Sequence, residues 1–136
     1  MSKMNEGLDR NCVHLAGEYF AAAELSKRGY AIGITMGNAK AIDILVEKNA
    51  RTANIQVKAI KGKTGWPIMR DKVVSNVVYI FVGLNEVGQP PVYSIMTPRE
   101  VRANIKQYPT RGLLPWSVAM RDKYLERWDK VDKSLR

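Results

Sequence analysis

Residues 41–60 read AIDILVEKNARTANIQVKAI, and this stretch decides how the chain folds. Apolar residues occupy every second position from 42 to 46 and again from 55 to 59, on either side of a polar break. Alternation with a period of two is the pattern of a β-strand with one buried face. The stretch therefore predicts a hairpin with strands at 41–48 and 54–60 and a turn at 49–52.

The length of that turn sets which residues of the two strands oppose each other. With the turn at 49–52, Ile44 lies opposite Val57 and Asp43 lies opposite Lys58. Directly opposed residues of an antiparallel pair share one face of the sheet. The apolar residues of both strands then coincide on one face, and Asp43, Gln56 and Lys58 lie together on the other.

The flanking sequence predicts helices and further strands. Residues 11–28 are rich in alanine and end before Gly29, which favours a helix with a glycine cap. A strand is expected at 30–35, followed by a turn at Gly37-Asn38. Beyond the hairpin we expect a basic loop at 61–72, a strand buried on both faces within 73–84, a strand at 92–96, a helix over 98–107 that begins with a capping box, and a last helix over 121–133. This order predicts an α/β fold with a mixed sheet.

The composition narrows the class of protein. The 136 residues are expected to form one domain, with residues 1–10 as a loose N-terminal segment. The one cysteine, Cys12, excludes an internal disulfide and fits a reducing compartment. No apolar run approaches the roughly 18 residues of a membrane helix, and no signal-peptide pattern is present. A soluble, cytoplasmic protein is therefore expected.

Charge is the first indication of function. The chain carries 22 basic against 13 acidic residues, a net charge of +9. A positive field of this size attracts phosphate polyanions, so nucleic acid is the expected partner. An anionic membrane surface is the competing partner, but none of the predicted helices combines a clean apolar face with a basic one.

The loop at 61–72 is a candidate nucleic-acid-binding segment. It interleaves cations with an aromatic ring, as expected of a loop that follows phosphates and stacks on bases, and its candidate residues are Lys61, Lys63, Trp66, Arg70 and Lys72. The alternative is a charged loop with Trp66 packed into the core. Tyr124 and Trp128 are expected to be packing residues, His14 to have a helix-surface or capping role, and Cys12 to be inert.

One group of residues has the composition of a catalytic site. Glu18 lies on the predicted first helix, and Asp43, Gln56 and Lys58 lie on the polar face of the hairpin. Aspartate is uncommon in strands, so Asp43 requires a reason. A carboxylate beside a lysine can anchor a divalent cation and orient a water for attack on phosphate. The structural alternatives are an ion pair between Asp43 and Lys58 and a solvated Glu18.

The pattern Glu18, Asp43 and Gln56-Val57-Lys58 resembles the PD-(D/E)xK nuclease superfamily, which has a restriction-endonuclease-like core. It is most similar to the branch with glutamine in place of the second acidic residue, as in Mrr-like restriction enzymes. Archaeal Holliday-junction resolvases have a similar helix glutamate. The segments GEYFAAAELSKRGY, GNAKAIDILV and NIQVK also resemble small bacterial proteins of this type, and the resemblance spans residues 17–102.

The resemblance implies a fold and a role for each matching residue. The fold would be a central mixed sheet of four or five strands flanked by helices. Asp43 would be the main metal ligand, the Val57 carbonyl a second ligand, and Gln56 would hold the third position directly or through water. Lys58 would position or activate the attacking water, and Glu18 would complete the site through metal-bound water. Mg²⁺ is the implied cofactor, with Mn²⁺ as the alternative ion.

These observations predict a Mg²⁺-dependent endonuclease that hydrolyses nucleic-acid phosphodiester bonds, with DNA as the expected partner. A homodimer is expected by analogy with small proteins of this fold. Two alternatives remain open. One is a catalytically inactive nucleic-acid-binding protein of the same fold, and the other is a partner-binding subunit, for example of a toxin or restriction system.

Overall fold

The computed structural model describes residues 9–35 and 42–136. Helix α1 (Arg10–Lys27) begins after Asp9, whose carboxylate accepts a hydrogen bond from the Cys12 N–H. The chain leaves the helix through Gly29, which has a positive φ of 95° that glycine adopts without strain. The turn expected at residues 37–38, and residues 1–8 of the segment expected to be loose, lie outside the described residues.

The strands form one large and one small sheet. In chain order they are β1 (Ala31–Ile34), β2 (Ile44–Lys48), β3 (Arg51–Lys61), β4 (Trp66–Pro67), β5 (Val78–Leu84), β6 (Val92–Met96), β7 (Lys106–Gln107) and β8 (Gly112–Leu114). The large sheet has the order β1-β2-β3-β5-β6, in which β3 and β5 are parallel and the other neighbours are antiparallel. The small sheet has the order β4-β8-β7. The predicted α/β fold with a mixed sheet of four or five strands and flanking helices is confirmed.

Three short α-helices come after β6 in the chain, namely α2 (Pro98–Asn104), α3 (Trp116–Ala119) and α4 (Asp129–Ser134). The predicted capping box is present, with reciprocal hydrogen bonds between Thr97 and Glu100. The helix nevertheless ends at Asn104 rather than 107, because the residues after it pair as β7 with β8. No helix described here is long and apolar enough to cross a bilayer.

The last helix expected over 121–133 is present only from residue 129, as α4, and its first part is wrong. The chain instead makes turns between α3 and α4, where the N–H of Glu126 bonds to the Tyr93 carbonyl. Glu126 has a positive φ of 53°, which a right-handed helix does not allow. The apolar spacing that predicted a helix is still used for packing, since Tyr124 and Trp128 are both buried, as expected.

The hairpin register also differs from the prediction. β2 and β3 are joined by a two-residue turn at Asn49 and Ala50, which have φ angles of 54° and 64°. Two consecutive positive φ angles are those of the type I′ turn that suits the twist of a hairpin. Ile44 therefore opposes Ile55, not Val57. The shift is two residues, so each apolar residue keeps its predicted face.

Strand β3 has two faces that pack against different layers. Its helix face, formed by Ile55, Val57 and Ala59, lies under α1 in a core that also includes α4. Its tryptophan face, formed by Gln56, Lys58 and Ile60, lies on the side of the core that contains Trp66. Neighbouring β5 is buried along its whole length, which confirms the strand expected to be covered on both faces.

Candidate active site

Helix α1 approaches β3 most closely at Gly17. A Cβ atom added at this position would lie 2.3 Å from the Cβ of Ala59, which is far inside normal contact distance. Only glycine therefore allows the helix to rest on the strand here. The contact fixes the position of the next residue, Glu18, whose side chain is 3% exposed.

Asp43 is held at a bulge where β2 begins. Its N–H donates to the carbonyl of Ile55 at 2.9 Å, and Ile44 is paired with the same Ile55 in the ladder. Two residues of one strand thus oppose one residue of the other, which is the arrangement of a β-bulge. The N–H of Thr35 donates to the Asp43 carbonyl at 3.0 Å and fixes the bulge to the end of β1.

The Asp43 carboxylate caps the edge of β3 beyond the end of β2. Its Oδ2 accepts a hydrogen bond of 2.8 Å from the backbone N–H of Val57, and the residue is 4% exposed. The pairing of β2 with β3 stops at Ile55, so Val57 lies beyond the end of β2. Because both backbone polar groups of a strand residue point toward the same neighbour, the Val57 carbonyl is directed to this edge as well.

His14 completes the group. Its Nε2 lies 2.7 Å from Oε2 of Glu18, one helical turn further along α1. One ligand atom from each of His14, Glu18 and Asp43 can be chosen so that all three lie within 4.8 Å of one another. The His14 side chain is 48% exposed, so the group reaches the surface at the imidazole.

Sequence reasoning assigned His14 to the helix surface and missed its contact with Glu18. The available signal was the spacing of four residues, which places two side chains on the same face of a helix. The proximity of Asp43 had no local signal, because it depends on how α1 lies across the sheet.

A divalent cation fits the chemistry of this donor set. Carboxylates are preferred ligands of Mg²⁺ and Mn²⁺, and imidazole is a common ligand of transition metals. Ligands on opposite sides of one Mg²⁺ are about 4.2 Å apart, twice the metal–oxygen distance of about 2.1 Å. Groups already within 4.8 Å of one another need only small side-chain movements to reach a single ion.

Gln56 and Lys58 extend from the tryptophan face of β3, opposite α1. The prediction placed Asp43, Gln56 and Lys58 on one polar face. In the structure Asp43 lies at the edge of β3 instead, because the bulge takes it out of the regular alternation. The Oε1 atom of Gln56 is buried and accepts no hydrogen bond from residues 9–35 or 42–136. Asp43 thus lies at the boundary between the acidic group and the strand face that carries Lys58.

Lys58 opens onto a groove of about 320 Å³ between β3 and the small sheet. Two further cations line this groove, namely Lys72 and Arg111, and Thr110 and Gly112 form part of its wall. The guanidinium of Arg111 also lies over the ring of Tyr108, 5.3 Å from its centre. We call this feature the basic groove.

Trp66 is buried, so the expectation that it stacks on bases is corrected in favour of the core alternative. The residue is 1% exposed and its indole N–H donates to the Val82 carbonyl at 3.1 Å. Its ring stacks on Trp116, with centres 5.4 Å apart, and meets the edge of Phe81. A ring held on both sides in this way is a structural element of the tryptophan face.

Of the four candidate cations in the loop at 61–72, two make structural contacts and the other two are exposed. Lys61 donates to the Asn85 carbonyl and pairs with Glu86 at 3.2 Å, and the guanidinium of Arg70 donates to two backbone carbonyls at the end of α2. These two side chains hold the loop in place. Lys63 and Lys72 are exposed.

The comparisons with known proteins bear on the fold. No protein-family model and no curated protein matches this chain. Among solved structures, the bacterial homing endonuclease I-Ssp6803I is similar over 93% of this chain and 94% of its own, with a TM-score of 0.59 and 16% sequence identity. At this level of identity, the likeness establishes that the two chains share a fold.

Proposed function

We propose that this protein is a divalent-metal-dependent nuclease that hydrolyses phosphodiester bonds, with DNA as its substrate. The observation that carries the proposal is the meeting of Glu18 and Asp43 with His14 at the edge of β3. The endonuclease fold shared with the solved structure supports it. Membership of the PD-(D/E)xK superfamily, in the branch with a glutamine in its motif, is part of the same proposal.

The ligands of the cation would come from both sides of the strand edge. Asp43 and Glu18 supply two carboxylates, and the Val57 carbonyl is directed to the same edge because the Val57 N–H already bonds to Asp43. The buried Oε1 of Gln56 is the oxygen that would take the remaining position. When bound, Mg²⁺ or Mn²⁺ supplies the positive charge that offsets the charge developing on the phosphate.

The basic groove would hold the nucleic-acid backbone. Lys58 directly follows Val57 in the strand, and its ammonium makes no ion pair with any residue in the described ranges, so it is available to a phosphate or to the attacking water. Lys72 and Arg111 extend the same positive surface. A protein with a net charge of +9 gains affinity for phosphates through release of their counterions.

The test is cleavage of plasmid DNA with Mg²⁺, Mn²⁺ or EDTA. Asp43→Asn keeps an oxygen that can accept the Val57 N–H but removes the charge, so we expect cleavage to fall by about 100-fold or more. Lys58→Met, which keeps the length of the side chain, should also lose cleavage. Asp122→Asn removes one exposed carboxylate elsewhere and serves as the matched control. Equal cleavage by the wild type and the Asp43 and Lys58 variants would reject the proposal.

Measurements of DNA binding by the same variants separate the alternative functions. DNA binding by Asp43→Asn should equal or exceed that of the wild type, because a carboxylate that repels phosphate is removed. Salt-dependent binding without cleavage by the wild type would favour an inactive nucleic-acid-binding protein, for which the neutral Gln56 in the motif is the supporting feature. Failure to bind nucleic acid even at low salt would favour an acidic protein partner. The homodimer stays a prediction, which sedimentation would test.

A further inference from the structure

We infer that His14 is a ligand of the proposed metal site and gives that site a preference for Mn²⁺ and later transition ions over Mg²⁺. The inference rests on the proposed function, because the two carboxylates beside His14 are the proposed metal ligands. It adds a nitrogen donor to a site for which the sequence motif implied only oxygen donors.

The geometry gives the imidazole a fixed place beside both carboxylates. His14 and Glu18 are one turn apart on α1, and their ligand atoms are 2.7 Å apart. Asp43 comes from a different element, yet its carboxylate lies within 4.8 Å of both. The helix is pressed against β3 at Gly17, so His14 is supported by packing rather than placed on a loop.

The three members of the group differ in burial. The carboxylates of Glu18 and Asp43 are on the inner side, whereas the His14 side chain is half exposed. The imidazole is the most exposed of the three groups, so it does not have to move out of a packed core to bind an ion.

The chemistry of the nitrogen donor sets the metal preference. Mg²⁺ is a hard ion that favours oxygen ligands and retains bound water. Imidazole suits transition ions, and the affinity of a mixed nitrogen and oxygen site rises from Mn²⁺ through Co²⁺ to Ni²⁺. A site with one imidazole and two carboxylates should thus bind Mn²⁺ more tightly than Mg²⁺, and Ni²⁺ more tightly than Mn²⁺.

A competing role for His14 is to orient Glu18 by a hydrogen bond without touching the ion. In that role, loss of the imidazole would weaken all divalent ions by similar factors, because only the placement of a carboxylate would change. A metal ligand would instead show a direct nitrogen signal and an effect that depends on the ion. These two consequences are measurable without any cleavage reaction.

The experiment uses the full chain without an affinity tag, in the absence of nucleic acid. The sequence contains one histidine, so an imidazole nitrogen coupled to bound Mn²⁺ in pulsed electron paramagnetic resonance has one possible source. We expect this coupling in the wild type and its loss in His14→Gln, whose amide can still bond to Glu18. Titration calorimetry should show Mn²⁺ affinity falling by about 10-fold or more in His14→Gln, with a smaller factor for Mg²⁺.

Cys12→Ser is the matched control, because Cys12 carries the other soft donor of this helix. We expect this variant to retain both the nitrogen coupling and the Mn²⁺ preference. If the Mn²⁺ preference were lost in Cys12→Ser and kept in His14→Gln, the assignment to His14 would be overturned.

The outcomes separate this inference from the nuclease proposal. Mn²⁺ bound without a nitrogen signal, a signal that persists in His14→Gln, or equal losses for Mn²⁺ and Mg²⁺ would each overturn the inference and leave the nuclease proposal standing. No Mn²⁺ binding by the wild type would also overturn it. The nuclease proposal would then be judged by DNA cleavage, where substrate phosphates can complete the metal site.

Discussion

The two faces of β3 are made from alternate residues of one strand but have opposite chemistry. On the helix face, Val57 and Ala59 lie under α1, and the acidic groups are confined to the edge beside them. On the tryptophan face, Lys58 borders a groove that contains further cations. Because successive side chains of a strand point to opposite faces, a single strand can carry an acidic group on one side and a basic groove on the other.

This separation matters for the proposed chemistry, since a metal ion and a phosphate need opposite surroundings. Carboxylates that no bound cation neutralises would repel a nearby phosphate, at an effective cost of about 4 kcal/mol for unit charges 4 Å apart near a protein surface. Placing Lys58 on the other face reduces that repulsion and leaves the Asp43 edge as the meeting point. The following predictions test how independent the two faces are.

The largest effect is expected from Trp66→Ala, which removes the centre of the tryptophan face. The buried ring stacks on Trp116 and bonds to the Val82 carbonyl, so its loss should lower the free energy of unfolding by about 3–5 kcal/mol. Urea denaturation followed by circular dichroism would measure the change.

Trp66→Phe is the sharper variant, because it keeps an aromatic ring and removes the indole N–H. We expect a loss of about 1–3 kcal/mol from the missing indole hydrogen bond and the smaller ring, with unchanged nucleic-acid affinity once the protein is folded. Weaker binding at unchanged stability would revive the base-stacking role for Trp66.

Gly17→Ala tests the helix face and should have an intermediate effect. The change raises helix propensity by about 1 kcal/mol, but the new Cβ would lie 2.3 Å from the Cβ of Ala59, a side chain that cannot rotate away. Overpacking of this kind costs about 1–3 kcal/mol, so we expect a small net loss of stability. Cleavage should fall by more than the small loss of stability would explain, because α1 carries both His14 and Glu18.

The second variant for this contact is Gly17→Ala combined with Ala59→Gly. Removing the Cβ of Ala59 makes room for the one added at Gly17, so the double variant should recover cleavage that the single variant loses. A double variant no more active than Gly17→Ala would show that close packing of α1 on β3 is not what positions Glu18.

The faces of β3 could be predicted from the sequence, because they follow from alternation alone. The buried β5 and the capping box at Thr97 were equally local signals. The hairpin register could not be predicted, because its turn places Ala50 at a positive φ of 64° without the glycine that usually marks such a turn. An even shift preserved the faces, so the error left the core prediction correct.

The grouping of His14, Glu18 and Asp43 could not be predicted from the sequence, because it depends on the tertiary structure. Asp43 was selected because aspartate is unusual in a predicted strand, and only the bulge opposite Ile55 explains how it comes near the side chains of α1. The wrong first part of the last helix has a similar origin. Its apolar spacing was real, yet the backbone turns at Glu126, where a bond to the neighbouring Tyr93 replaces a helical bond.

The smallest effect, and the most direct test of the tryptophan face, concerns salt. In Asp43→Asn with EDTA, which prevents cleavage, Lys72→Ala and Arg111→Ala should each reduce the slope of log affinity against log salt by about 0.9, the value for one lost phosphate contact on duplex DNA. Lys27→Ala is the control, because Lys27 is also an exposed cation but lies on α1, where it pairs with Glu24 at 3.5 Å. If all three variants lowered the slope equally, DNA affinity would depend on the overall charge of the protein and not on the basic groove. A change confined to Lys72 and Arg111 would assign the phosphates to the basic groove, because counterion release reports only the cations that contact the backbone.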